Sequence, residues 1–310
     1  MVTVIKKFRR IIRIKFVENG EMSMSDFTPV IGLEIHTQLE TSTKLFCSCS
    51  TNIQDKEPNT ATCPVCLGHP GSLPQINEKA IEKAIVAARA IEADVADSLV
   101  FDRKHYFYPD LPKNFQITQH NKPICSSGVI ENDDISVPIR SAHIEEDPGS
   151  LSYESGDLRK SSSSLVNYNR SGVPLMEFVT EPEIESPEEA REAVELLVKR
   201  LDYLDIIDAT NSSSVRVDAN ISLRSDEGET SSRAEVKNIG SPTEVEQALM
   251  YEVTRQKDSI RRGEADKQTT RHWDESRGVT VELRSKESDS DYRHFREYDI
   301  PEIQLYSLDE

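Results

Sequence analysis

The stretch VRVDANISLR, residues 215–224, alternates strictly in polarity, and this pattern constrains the fold more than any other feature of the chain. Val215, Val217, Ala219, Ile221 and Leu223 fall on one face of an extended chain; Arg216, Asp218, Asn220, Ser222 and Arg224 fall on the other. Side chains of a strand point alternately to opposite sides, so such a segment buries one face and leaves the other open. VIGLEIHTQL repeats the pattern, with Ile31, Leu33, Ile35 and Leu39 opposite Glu34 and His36. AEVKN sets Glu235 and Lys237 together, VTVELRSK does so for Glu282, Arg284 and Lys286, and PLMEFVTEP for Glu177 and Glu181.

Three segments have helical spacing instead. Residues 78–94 repeat Ala and Ile at intervals of a helix face, and two further helices begin alike at Ser186 and Ser241. Each offers Ser as N-cap, Pro at the first helical position and Glu at the third, a capping box. Ala190, Val194, Leu197, Leu201 and Leu204 line one side of the former, and Val245, Leu249 and Val253 line the latter. Strands with one apolar face and helices to cover it predict an α+β layered domain around an antiparallel sheet, with chemistry on the open face. The shared cap pattern raises a duplicated strand–helix unit.

Four of the five cysteines lie in FCSCSTNIQDKEPNTATCPVC, residues 46–66, as Cys-x-Cys followed by Cys-x-x-Cys. Cys47, Cys49, Cys63 and Cys66 have the number and type of ligands for a tetrahedral structural Zn²⁺ site, preferred here over free buried thiols or redox chemistry. A four-thiolate site leaves no open coordination position, so it holds a loop and cannot activate a water. Isolated Cys125 is expected to be a small buried hydrophobe. Clustered thiolates suit a reducing cytoplasm better than a secreted disulfide framework. No apolar run of about 18 residues occurs, so no membrane-spanning helix is expected.

The formal net charge is −18, poor equipment for coating a nucleic acid with the whole surface. Residues 1–23 run against it, with six Lys or Arg and two Glu, and are expected to be a disordered tail or an over-extended start. The informative charges lie inside the chain. Glu34, His36, Glu177, Arg216, Lys237 and Lys286 project from polar strand faces, and HIEEDPG adds Glu145, Glu146 and Asp147. Mixed signs with oxygen ligands suit Mg²⁺-nucleotide binding, the carboxylates holding the ion and the cations holding phosphate. His is a poor Mg²⁺ ligand, so His36 is expected on a water of the ion or on a softer metal. HYFYPDLPKNFQITQ, residues 105–119, reads as a rigid aromatic loop or a stacking platform for a base, and VNYNRSGVPLMEF presents Asn167, Asn169 and Arg170 ahead of a turn.

These segments, together with CPVCLGHPGSLP, SVRVDANISLR and DYRHFREYDIP, resemble in order the B subunit of the tRNA-dependent aspartyl/glutamyl amidotransferases, over roughly residues 27–308. The resemblance implies a catalytic cradle domain over residues 24–310 with a glutamine-synthetase-like α+β fold. It implies a ligase activity: ATP phosphorylates the side-chain carboxylate of Asp or Glu misacylated on tRNA, and ammonia from glutamine, hydrolysed in an A subunit, displaces phosphate. A C subunit links the pair. It further implies metal binding by Glu34, His36 and the Glu145/Glu146 pair, polar trough positions at Asp218 and Glu235, and a Zn²⁺ site at the four cysteines. Lys113, Asn169, Arg170, Glu177, Arg216, Lys237 and Lys286 are the expected contacts to substrate or phosphate. Members of the family continue into helical and tRNA-gripping tail domains beyond the point where this chain stops, so a truncated form is expected. The competing readings are a zinc-stabilised RNA-binding module without catalysis and a ligase acting on a free small carboxylate.

Overall fold

A computed structural model describes residues 27–153, 161–211, 213–228, 230–264, 267–283 and 292–305. The basic segment 1–23, and with it Arg284 and Lys286, lies outside the described residues. Nine strands make the main sheet, in spatial order β14 (Val279–Glu282), β13 (Thr269–Asp274), β12 (Ala234–Ile239), β11 (Val215–Ser225), β1 (Phe27–Gln38), β10 (Pro174–Thr180), β7 (Ser136–Glu146), β6 (Cys125–Glu131) and β2 (Asp94–Val95). Three small sheets surround it: β3 (Ser98–Leu99) with β16 (Ile303–Gln304), β4 (Asp102–His105) with β5 (Phe115–Thr118) and β15 (Phe295–Arg296), and β8 (Ser150–Tyr153) with β9 (Ser164–Asn167).

The alternation read in the sequence sets which face is covered. Ile31, Leu33 and Ile35 of β1, Val217, Ala219, Ile221 and Leu223 of β11, and Met176 and Phe178 of β10 are all buried. Helices α1 (Glu78–Ala90), α2 (Pro187–Tyr203) and α3 (Pro242–Arg261) cover that side, with α2 packed on α3, β1 and β6 and α3 on β11 and β12. The expected caps form: Ser186 Oγ accepts from the Glu189 amide and Ser241 Oγ from the Glu244 amide. Ala190, Val194, Leu197 and Leu201 are fully buried beneath α2. Each buried Leu there is worth about 2 kcal/mol, more than the cap supplies, so the apolar stripe decides where the helix lies.

The sheet is mixed, which corrects the antiparallel expectation. β12 and β13 run parallel, Ala234 facing Thr269 and Lys237 facing His272. The cause is α3, which carries the chain back along the sheet so that the next strand enters in the same direction. Helix α2 does the same between β10 and β11, which both run antiparallel to β1 on its two sides. The two Ser-Pro-x-Glu helices thus play the same topological part. The aromatic run 105–119, read as one loop, instead joins β4 to β5, pairing His105 with Phe115 and Asp102 with Thr118.

Candidate active site

Pairing register brings the polar residues of four strands side by side. His36 of β1 stands opposite Glu177 of β10 and Arg216 of β11, Glu34 opposite Asp218, and Glu177 opposite His143 of β7. Cross-strand neighbours point to the same side of a sheet, so these six form one group on the open face. Five of the six, all but His143, border a cavity of about 240 Å³ together with Lys104, Tyr106, Glu145, Asp147 and Lys237.

At its centre, one ligand atom each from His36, Glu145 and Glu177 lies within 4.8 Å of the others. His36 Nε2 stands 3.2 Å from Glu177 Oε2 and 3.6 Å from Glu145 Oε1. Burial disfavours the His36 imidazolium, but the hydrogen bond and charge of Glu177, followed by the charge of Glu145, raise its pKa to about 9. Burial also opposes charge on Glu177, yet His143 and His36 hold its carboxyl well below the usual range. Glu145 and Glu34 are pushed up, first by burial and then by the nearby charge of Glu177. Several half-desolvated acids around too few positive charges are the condition that a divalent cation relieves. The donor set of two carboxylates and one imidazole fits Mn²⁺ or a softer metal directly, and Mg²⁺ with the imidazole on a water of the ion.

The rest of the trough carries fixed charge. Lys237 Nζ bridges Asp218 Oδ2 at 2.8 Å and Glu235 Oε1 at 2.6 Å. Burial opposes its ammonium, but Asp218 and Glu235 raise its pKa above the ordinary value, so it stays charged. Glu34 Oε1 accepts from Asn220 Nδ2 at 3.2 Å, within the same group.

The structure separates residues that the sequence set together. Glu146 has the opposite parity to Glu145 along β7, pairing with Pro174 where Ile144 pairs with Met176, so it points away from the trough. There it is ion-paired with Lys113 and accepts from the Ile117 amide at 3.0 Å. Both line a second cavity of about 190 Å³ under the cysteine loop, together with Arg103, Glu297, Cys47 and Cys66. Glu181 leaves the strand where the register shifts between Val179 and Thr180, and pairs with Arg140 instead of joining Glu177. Asn169 is buried, its Oδ1 accepting from the Ala61 amide and its Nδ2 donating to the Glu57 carbonyl, which ties down the cysteine loop. Arg170 donates to the carbonyls of Pro148 and Gly149 and pairs with Asp147 Oδ2 at 3.1 Å. Its guanidinium is committed to that turn. Arg216 is 3.8 Å from Asp147 Oδ1, an oxygen that makes no hydrogen bond, and borders the trough.

The four cysteine sulfurs also lie within 4.8 Å of one another, and Cys66 Sγ is 3.9 Å from Cys63 Sγ. Zn–S bonds of about 2.3 Å in a tetrahedron need this closeness. Lys44 is fully buried beside them, its Nζ 2.9 Å from the Ala61 carbonyl and 3.7 Å from Cys66 Sγ. Donation from Cys47, joined by the Cys63 amide and the Lys44 ammonium against the effect of burial, pulls the Cys66 thiol down to about 4. The chain entering the loop is tied to the scaffold: the Leu45 amide donates to the Gly172 carbonyl, and the Leu45 carbonyl accepts from the Asn77 amide. Cys125 is buried apart from the group, as expected.

His143 and Lys104 do not stand out in the sequence, and Asp147 and Tyr106 do so only as members of an acidic and an aromatic run. A signal for His143 is nevertheless present, since in HIEE an inward Ile144 forces His143 and Glu145 outward together.

A sheet covered by helices on one side, with metal-capable donors and anchored cations gathered on the other, defines an α+β domain with a charged trough on its open face. The chain belongs to the GatB/GatE catalytic domain family, which it matches over residues 29–308. It is 52% identical over 297 residues to the B subunit of the aspartyl/glutamyl-tRNA(Asn/Gln) amidotransferase of Haloquadratum walsbyi, an alignment that covers 91% of this chain and 60% of the relative. The proteins of the same description from Halobacterium salinarum and Methanosarcina barkeri are 50% and 51% identical, covering 93% and 89% of this chain and 61% and 55% of the relatives. The chain thus spans little more than half the length of the curated relatives it matches.

Proposed function

We propose that this chain carries the carboxylate-activating centre of a tRNA-dependent amidotransferase, as its B subunit, acting in the cytoplasm with A and C subunits. The substrate is Asp-tRNA or Glu-tRNA, misacylated for Asn or Gln. ATP transfers its γ-phosphoryl group to the side-chain carboxylate, ADP leaves, and ammonia then attacks the acyl phosphate, breaking its C–O bond to give the amide and phosphate. The observation that carries this reading is the placement of His36, Glu145 and Glu177 in one trough with Arg216 and Lys237.

Two anions, a carboxylate and a triphosphate, repel each other, and their approach needs positive charge held in place beforehand. Arg216 and Lys237 stand with Lys104 as cations on the wall of the trough. Asp218 and Glu235 keep the Lys237 ammonium in place, and Asp147 stands behind Arg216. His36, Glu145 and Glu177 would hold Mg²⁺, which when bound supplies further charge neutralisation at the phosphates. Zn²⁺ at Cys47, Cys49, Cys63 and Cys66 is structural in this reading, fixing the loop that leaves β1. The cradle is of the glutamine-synthetase-like kind in the same reading.

The test reconstitutes the chain with A and C subunits and supplies aspartyl-tRNA, ATP and glutamine. ATP cleavage that depends on misacylated tRNA and is lost in Glu177→Ala supports the proposal. Tight tRNA binding without ATP turnover would replace it with the RNA-binding module.

A further inference from the structure

Glu177 Oε2 receives two imidazoles at once. His36 Nε2 approaches it at 3.2 Å from β1, and His143 Nε2 approaches the same oxygen at 3.2 Å from β7. A carboxylate only accepts hydrogen bonds, so both ring nitrogens donate an N–H to it. The two histidines are not equivalent. His36 belongs to the group of potential metal ligands and borders the trough, whereas His143 does neither. A nitrogen that donates its N–H has no lone pair for a cation. Binding through His36 Nε2 therefore removes one of the two donors that hold Glu177, and leaves His143 as the other.

We infer that His143 is the positioning residue of this centre: its Nε2–H fixes the Glu177 carboxylate, so that the ligand stays in place when His36 turns from Glu177 to the cation. The inference rests on the metal reading of His36, Glu145 and Glu177 proposed above. Register fixes the pair, since Glu177 and His143 are direct cross-strand partners and both are mostly buried. The role needs an N–H at that point and no charge, so a neutral donor of similar reach should serve. Partners that orient a ligand in this way typically contribute ten- to a hundredfold in metal affinity.

The experiment titrates the full chain with Mn²⁺ and follows free ion by electron paramagnetic resonance. Glu177→Ala identifies the trough site as the Mn²⁺ binding that it abolishes or weakens most. His143→Ala is expected to weaken that site about tenfold or more. His143→Gln, whose amide nitrogen reaches where Nε2 was, restores most of the affinity. In the Glu177→Ala background, His143→Ala should change the residual affinity by less than about twofold, because the group it acts through is gone. Zinc content and the urea midpoint of each variant report whether the fold is intact. Wild-type affinity in His143→Ala overturns the inference, and so does a loss that Gln fails to restore or that persists without Glu177. If the wild-type chain has no Mn²⁺ site sensitive to Glu177→Ala, the metal reading itself fails and takes the inference with it.

Discussion

Replacing Glu252 with Gln should destabilise the protein strongly while leaving the trough chemistry of each folded molecule unchanged. Glu252 lies on α3, fully buried, on the covered side of the sheet. It accepts from Arg255 Nη2 at 2.7 Å, Arg255 Nε at 2.9 Å and Thr280 Oγ1, and is ion-paired with Arg271, whose Nε lies 3.0 Å away and donates to Thr280 Oγ1. One carboxylate thus joins α3 to β13 and β14. Glutamine keeps the volume but removes the charge, leaving Arg255 without its buried counter-ion and Arg271 with only the exposed Glu282 carboxylate, 3.7 Å away. Breaking a buried pair costs about 3–5 kcal/mol. Arg255 is a quarter exposed and can turn towards water, whereas Arg271 cannot, so the loss should lie at the low end, about 3 kcal/mol.

The pH dependence follows from the same contacts. Burial would raise the pKa of Glu252, but hydrogen bonds from Arg255 and Thr280, with the charges of Arg255 and Arg271, hold it below the ordinary value of 4.5. A carboxyl depressed on folding contributes stability above its unfolded pKa and loses it as pH falls through the folded value. Urea denaturation of wild type and Glu252→Gln should therefore show the full gap at pH 7. The gap should narrow progressively as pH drops below about 4.5. A loss under about 1 kcal/mol at pH 7, the range of an exposed pair, would refute the reasoning. So would a gap that stays constant down to about pH 3.

Two further outcomes separate support from chemistry. Cys63→Ser should lower zinc content and stability, yet leave ATP cleavage per folded molecule largely intact; a loss as deep as that of Glu177→Ala would mean that the cysteine loop takes part in the reaction. Ser241→Ala removes the N-cap bond to Glu244 and should cost about 1 kcal/mol in urea denaturation. No change would show that Gly240 and Pro242 already fix that turn.

Much of the trough is legible in the sequence, because period-2 alternation is local. It places Glu34 and His36 together, puts Asp218 beside Arg216, and sets Glu235 beside Lys237 without any knowledge of pairing. The same rule, applied to HIEE, separates Glu145, which faces the trough, from Glu146, which faces Lys113. Register is not legible, since it depends on which strands meet: the opposition of His36 to both Glu177 and Arg216 joins segments far apart in the chain. The bulge that sends Glu181 to Arg140 is of the same kind. The parallel β12–β13 pair is hidden in α3, whose length and cap are plain but whose return path is not. Asn169 and Arg170 read as ligand contacts because polar loops often are; in the fold Asn169 holds backbone groups of the cysteine loop, and Arg170 holds the Pro148 and Gly149 carbonyls and Asp147.

The central claim is that this trough activates a carboxylate by phosphorylation. Its most direct test uses tRNA charged with aspartate whose side-chain carboxylate is labelled with oxygen-18, in the complex assembled with A and C subunits, ATP and glutamine. The acyl phosphate route leaves one side-chain oxygen on the phosphorus, so the phosphate released should carry one labelled atom per amide formed. Unlabelled phosphate, with Asn-tRNA still produced, would contradict the account.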